Sequence, residues 1–146
     1  GRSVSGTTDN VLYDAHIIGS EHLITAEATP SNLFEIALPA GGMAGGTLTF
    51  QVMATDGTDV AVHTGKANFA VVNKGGVYTS QFTDEPITSD ADAASTGTGI
   101  TDTWAITAGT NKVTVSISVA VNSMVANDIR VYWTLHNGGR NAVTQF

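Results

Sequence analysis

The amino-acid sequence predicts an all-β fold, an antiparallel β-sandwich with a short extended N-terminal arm. Three observations carry this expectation. Threonine is the commonest residue, with Ala, Gly and Val close behind, while Leu, Glu and Lys are scarce; β-branched residues suit strands, and good helix formers are few. Apolar residues recur at period two in several segments, the spacing of a strand with one buried face. Sixteen glycines punctuate these segments, where turns need them. The 146 residues are 42% hydrophobic and 13% charged. That is a one-domain length with enough apolar matter for a core, and a charge content about half the usual ~25%. It argues against disorder for the body of the chain.

Taken in order, residues 1–9 (GRSVSGTTD) are small, polar and aperiodic, and read as an extended arm; residues 10–146 read as a single sandwich domain. Val11 to Glu27 gives only a weak strand signal. Leu33, Phe34, Ile36 and Leu38 form a clearer one, closed by Pro39 and a glycine-rich stretch. Leu48, Phe50 and Val52 alternate with Thr47, Thr49 and Gln51, and Asp56-Gly57 then signals a hairpin, because Gly accepts the positive φ of a tight turn. Val60 and Val62, then Phe69 and Val71, read as return strands, with Gly65 marking a bulge or bend. A turn at Asn73 to Gly76 leads into Val77-Tyr78-Thr79. Asp84 to Gly99 is acidic and poor in apolar residues, and reads as a long surface loop.

The last third is the most regular. Ile100, Asp102, Trp104 and Ile106 share one parity, and Ala108 to Asn111 makes a turn. Val113, Val115, Ile117, Val119 and Val121 then alternate with Thr114, Ser116, Ser118 and Ala120. Ile129, Val131, Trp133 and Leu135 repeat the device against Arg130, Tyr132, Thr134 and His136. Asn137-Gly138-Gly139 turns the chain into a final segment, Asn141 to Phe146. Many short strands with turns every ~8–12 residues describe a sandwich, and a jelly roll is one arrangement they allow. The pattern leaves strand order open.

Charge and cysteine content exclude several functions. Six Lys and Arg stand against 13 Asp and Glu, a formal net charge of −7. Nucleic acid and anionic membrane surfaces call for basic patches, so neither is an expected partner. The longest apolar run, Phe69 to Val72, has four residues, against ~20 for a membrane-spanning helix. With no cysteine, disulfides, thiolate catalysis and zinc–thiolate sites are excluded.

Candidate chemistry is sparse. Asp14 and His16 would share a strand face and could begin a metal site, but no known ligand spacing follows. Asp84, Glu85, Asp90 and Asp92 could approach calcium, yet lack an EF-hand pattern. No nucleophile elbow or phosphate loop occurs. The expectation is no enzyme, no cofactor and no metal. Trp104 and Trp133 lie on the apolar parity and read as core. Tyr78 and Tyr132 are either partner- or sugar-binding platforms or ordinary surface tyrosines. The outward residues Thr114, Ser116 and Ser118 are small and uncharged, where a long exposed strand ordinarily carries charge. Such a face suits close sheet-to-sheet or subunit packing, and so favours an assembly protein.

Two blocks, Gly46 to Phe82 and Thr101 to Asn137, resemble recurring segments of tailed-bacteriophage virion structural proteins. The likeness rests on the ATDGTD hairpin (Ala54 to Asp59), the Asn73-Lys74-Gly75-Gly76 turn, and the Trp104 strand with its Ala108 to Asn111 turn. It extends over roughly residues 33 to 145. It implies a structural role in one of two settings. In the first, the chain is a capsid decoration (cement) protein on the virion's capsid surface, a homotrimer clamping the major capsid protein. Arg2, Ser3, Val4 and Ser5 would reach along the shell, and Thr114, Ser116 and Ser118 would lie against it. In the second, it is a tail-fibre or receptor-binding module; such a module is expected behind a repetitive shaft, and no heptad or glycine-repeat stem occurs in these residues. Small size, arm and neutral faces favour the first. A carbohydrate-binding β-sandwich is a further alternative, which needs exposed aromatics.

Overall fold

The computed structural model describes residues 16–91, 99–122, 124–137 and 141–146. Nine strands lie among them: β1 (His16–Ile24), β2 (Ser31–Ala37), β3 (Met43–Thr55), β4 (Val60–Lys74), β5 (Val77–Ala91), β6 (Ile100–Gly109), β7 (Lys112–Val121), β8 (Asp128–Asn137) and β9 (Val143–Gln145). They form two antiparallel sheets. One has five strands in the order β1-β8-β3-β4-β5, the other four in the order β6-β7-β2-β9. The expected two-sheet sandwich is the observed architecture. Strands near the two ends of the chain interleave: β8 lies between β1 and β3, and β2 lies between β7 and β9.

The turns follow from their residues. At the β3–β4 hairpin, Asp56 Oδ1 accepts hydrogen bonds from the backbone N–H of Thr58 (2.9 Å) and Asp59 (2.7 Å), and Gly57 takes φ +99°. These two donors hold the Asp56 carboxyl below its ordinary pKa. At the β4–β5 hairpin, Asn73 Oδ1 accepts from Gly76 N–H at 2.8 Å. Asn73 is itself buried, and its Nδ2 donates to the Leu38 carbonyl at 2.8 Å. The side chain thus ties the hairpin to the segment after β2.

The core lies between the sheets. Leu48, Phe50 and Val52 of β3 and Val131, Trp133 and Leu135 of β8 face Leu33, Phe34 and Ile36 of β2 and Val113, Val115, Ile117 and Val119 of β7. Phe34 and Trp133 meet across the interlayer with ring centroids 4.7 Å apart. The register of β2 against β7 shifts between Asn32 and Phe34, and this bulge lets the consecutive residues Leu33 and Phe34 both be buried. The alternation read for β7 and β8 is reproduced: Val115, Ile117, Val119, Val131 and Trp133 are all buried.

Three expectations need correction. Val60 to Lys74 is one strand, not two, and the irregularity expected at Gly65 is a register shift between Thr64 and Gly65. Asp84 does not begin a loop, because β5 continues to Ala91 and pairs with β4 as far as Ala61. The ladder is made by backbone groups, so a polar edge strand can persist where side-chain alternation has ceased. Ser116 is not on an open face but is 5% exposed. It sits on an interior strand between Asn32 of β2 and Ala105 of β6, and a side chain this short is enclosed by its lateral neighbours.

Candidate functional site

The outer face of the five-stranded sheet carries an open hollow of about 500 Å³. Strand register brings its residues together from four distant stretches. One cross-strand row runs Glu21, Tyr132, Gln51 and Thr64; the next runs Gly19, Thr134, Thr49 and Lys66. The side chains of Thr49, Gln51, Thr64, Tyr132 and Thr134 line the hollow, and Gly19 contributes only backbone. The partners of these residues on the inward parity, Phe50 and Trp133, are core residues, so a packed layer supports the hollow from beneath.

A Cβ at Gly19 would lie 3.1 Å from the Trp133 carbonyl and 3.3 Å from Thr134 Oγ1. Glycine therefore permits the close approach of β1 to β8 and keeps that side of the hollow free of a side chain. Tyr132 is 40% exposed, yet it is tethered: its hydroxyl donates to Glu21 Oε2 at 3.3 Å. Arg130 Nη1 donates to the same oxygen at 2.7 Å, and Arg130 Nε to Asp128 Oδ1 at 2.9 Å. The bond to Glu21 first, then that to Asp128, raises the guanidinium further above its ordinary pKa. A second hollow borders the first, lined by Met53, Val60, Asp128 and Arg130, with Tyr132 between the two.

The lining is chemically uniform. Hydroxyls and a primary amide both donate and accept hydrogen bonds. The tyrosine adds a flat apolar surface. Such a surface can orient a neutral polar ligand; it offers no carboxylate cluster for a metal.

A different cluster joins the two sheets. His63 of β4 is 4% exposed, and its Nε2 lies 2.8 Å from Asp102 Oδ1 on β6. Asp102 Oδ2 accepts from Trp104 Nε1 at 2.6 Å. The ring of Phe50 lies 5.9 Å from His63 and 5.0 Å from Trp104, and Phe82 stacks on Trp104 at 5.4 Å. His63 Nδ1 is buried with no hydrogen-bond partner among the described residues. Enclosed by aromatic rings, this cluster holds β6 against the facing sheet.

The residues singled out from sequence are dispersed. Arg2, Ser3, Val4 and Ser5, with the rest of the arm, lie outside the described residues, as do Asp14 and Asp92. His16 opens β1, and Asp84, Glu85 and Asp90 lie on β5. Among the described residues no group of three or more His, Asp or Glu could hold a metal ion. Thr114 and Ser118 are half-buried on the outer face of the four-stranded sheet, flanking the buried Ser116. They are thus far from the hollow, on the opposite side of the sandwich. Tyr132 is the one platform candidate that the structure places in a concave site, whereas Tyr78 is half-buried with its hydroxyl 3.4 Å from the Leu38 carbonyl. Trp133 is core, and Trp104 is half-buried against it.

The pairing of His63 with Asp102 was missed. Its signal was available, since Asp102 shares parity with Ile100 and Trp104, and His63 with Ala61, Ala67 and Phe69. Two polar residues on core parities of different strands are a cue for mutual pairing.

No known protein-family model matches this chain, and no curated protein sequence matches it. Among solved structures, it is similar to part of the tailspike protein of Acinetobacter baumannii phage AM24, at 11% identity and TM-score 0.45, covering 86% of this chain and 26% of that one. It is similar also to part of the tailspike protein gp49 of Acinetobacter baumannii bacteriophage Fri1, a capsular polysaccharide depolymerase. That likeness has 12% identity and TM-score 0.42, covering 91% of this chain and 20% of that one. For the Acinetobacter phage vB_ApiP_P1 tailspike protein the values are 17% identity and TM-score 0.43, with 100% of this chain and 25% of that one covered. The chain thus spans about a quarter or less of each of these proteins.

Proposed function

We propose that this chain is a non-enzymatic structural module of a tailed-phage virion, and that it serves recognition at the tail rather than clamping of the capsid. The hollow carries this reading. Its lining is uncharged and hydrogen-bonding, and a tyrosine tethered through its hydroxyl stands exposed at its edge. That is a surface for recognising a polar ligand. The face assigned to shell contact supports the capsid reading less well, because its middle residue, Ser116, is already enclosed within its own sheet. The sequence resemblance to virion structural proteins covers both settings, and a homotrimeric assembly remains part of the proposal.

The test is a phage lacking this chain, or carrying it with Tyr132→Ala. Adsorption to host cells should fall, while the temperature at which particles release DNA stays unchanged. Antibody against the chain should decorate tails in electron micrographs. Unchanged adsorption with premature DNA release, and label on capsids, would restore the decoration reading and overturn this one.

A further inference from the structure

We infer that the hollow beside Gly19 is a subsite for an uncharged, hydroxyl-rich saccharide, with Tyr132 as the surface against which the sugar ring lies. The inference rests on the recognition reading above and adds to it a ligand class and residue roles.

Lining chemistry selects the ligand. Thr49, Gln51, Thr64 and Thr134 present hydroxyls and an amide, groups that match sugar hydroxyls in both donating and accepting. The charges near the hollow are engaged with one another: Glu21 and Asp128 hold Arg130 at 2.7 and 2.9 Å. Lys66, beside Thr49 in the register, does not line the hollow. Charged ligands therefore lack a free counter-charge in the lining, and the net charge of −7 disfavours anions further.

Geometry selects the mode. The Tyr132 ring is fixed at its hydroxyl end by Glu21, which Arg130 holds in turn. A tethered ring loses little rotamer freedom on binding. Its exposed face can take the apolar C–H side of a pyranose, while the threonines and Gln51 meet the hydroxyl rim. Gly19 leaves room where any side chain would intrude. An extended peptide would instead seek a free strand edge, and the hollow sits within the sheet, over β8 and β3.

An open site of this kind binds weakly per copy, and repeated copies gain by avidity. The experiment is therefore an array of immobilised neutral and acidic oligosaccharides probed with the full chain. At least one neutral oligosaccharide should bind. Its signal should fall about tenfold with Tyr132→Ala, as expected when a stacking contact is removed, and fall likewise with Gln51→Ala. Tyr132→Phe, which keeps the ring but loses its tether to Glu21, should give a signal between those of the wild type and Tyr132→Ala, and Thr103→Ala, on the opposite sheet, should bind as the wild type does. Circular dichroism establishes that each variant is folded; should Tyr132→Ala not fold, Gln51→Ala decides.

No neutral ligand on the array, binding of acidic sugars alone, or full binding by a folded Tyr132→Ala variant would overturn the inference. A chain that decorates tails and is needed for adsorption but binds no saccharide would overturn this inference alone. A chain that binds neutral sugars through Tyr132 yet decorates capsids would overturn the tail reading alone.

Discussion

Asp102→Ala is the most informative single perturbation of the fold. The carboxylate is 4% exposed and is the common acceptor for His63 Nε2 at 2.8 Å and Trp104 Nε1 at 2.6 Å. Its removal deprives a buried donor, on His63, and a half-buried one, on Trp104, of a partner at once. Breaking a buried pair by deleting one member costs ~3–5 kcal/mol, and an orphaned indole N–H alone costs ~1–3 kcal/mol. The two losses share one group and overlap, so the expected total is ~3–5 kcal/mol rather than their sum. Asp102→Asn keeps one acceptor oxygen and should cost less, ~1–2 kcal/mol. Urea unfolding followed by tryptophan fluorescence measures both, since Trp104 lies in the cluster and Trp133 in the main core. The midpoint should fall with the slope unchanged. His63→Ala should cost less in the Asp102→Ala background than in the wild type, by ~0.5–3 kcal/mol of coupling. A loss below ~1 kcal/mol for Asp102→Ala, or strict additivity with His63→Ala, would refute the claim that this cluster fastens the two sheets.

Other outcomes follow from the same coordinates. Trp133→Ala, at a residue 2% exposed and packed on Phe34, should cost ~3–5 kcal/mol in chemical denaturation. Asn73→Ala should cost ~1–3 kcal/mol, because it removes the donor to Leu38 and the acceptor for Gly76 together; the same assay checks it. The Asp56 carboxyl should titrate below the ordinary aspartate range in an NMR pH series, held down by the backbone donors of Asp59 and Thr58. With the folded pKa depressed, its contribution to stability is present above the unfolded pKa and disappears as pH falls through the folded value. Replacement by Ala should abolish that acid-range component.

Legibility from sequence tracked how local the determining interaction was. β7 and β8 could be read because five and four apolar residues alternate without interruption. The β3–β4 hairpin was legible because Asp56 and Gly57 settle it within four residues. The far half of β5 was not, since its pairing with Ala61 to Ala67 is imposed by the neighbouring strand and leaves no apolar alternation in Asp84 to Ala91. Parity gives Ser116 its correct face but not its environment, because enclosure depends on which strands flank β7. The hollow was least legible. Gly19, Gln51, Thr64 and Tyr132 are unremarkable alone, and only the order β1-β8-β3-β4 makes them neighbours.

The position of β8 between β1 and β3 also governs how the chain can be made. When residues up to 91 have left the ribosome, β3, β4 and β5 can already form a meander, but β1 has no partner in it. The seam closes only when Asp128 to Asn137 arrives and pairs on both sides at once, Val131 with His22 and with Val52. The other sheet waits in the same way, since β2 finds its first partner in β7. Until then the inner faces of both halves are exposed to water. Such closure by distant segments is slow relative to local hairpin formation, and it leaves a nascent chain open to pairing with its neighbours. Synthesis of this chain on crowded polysomes would therefore set the yield of folded protein by the interval between the emergence of β3 and that of β8.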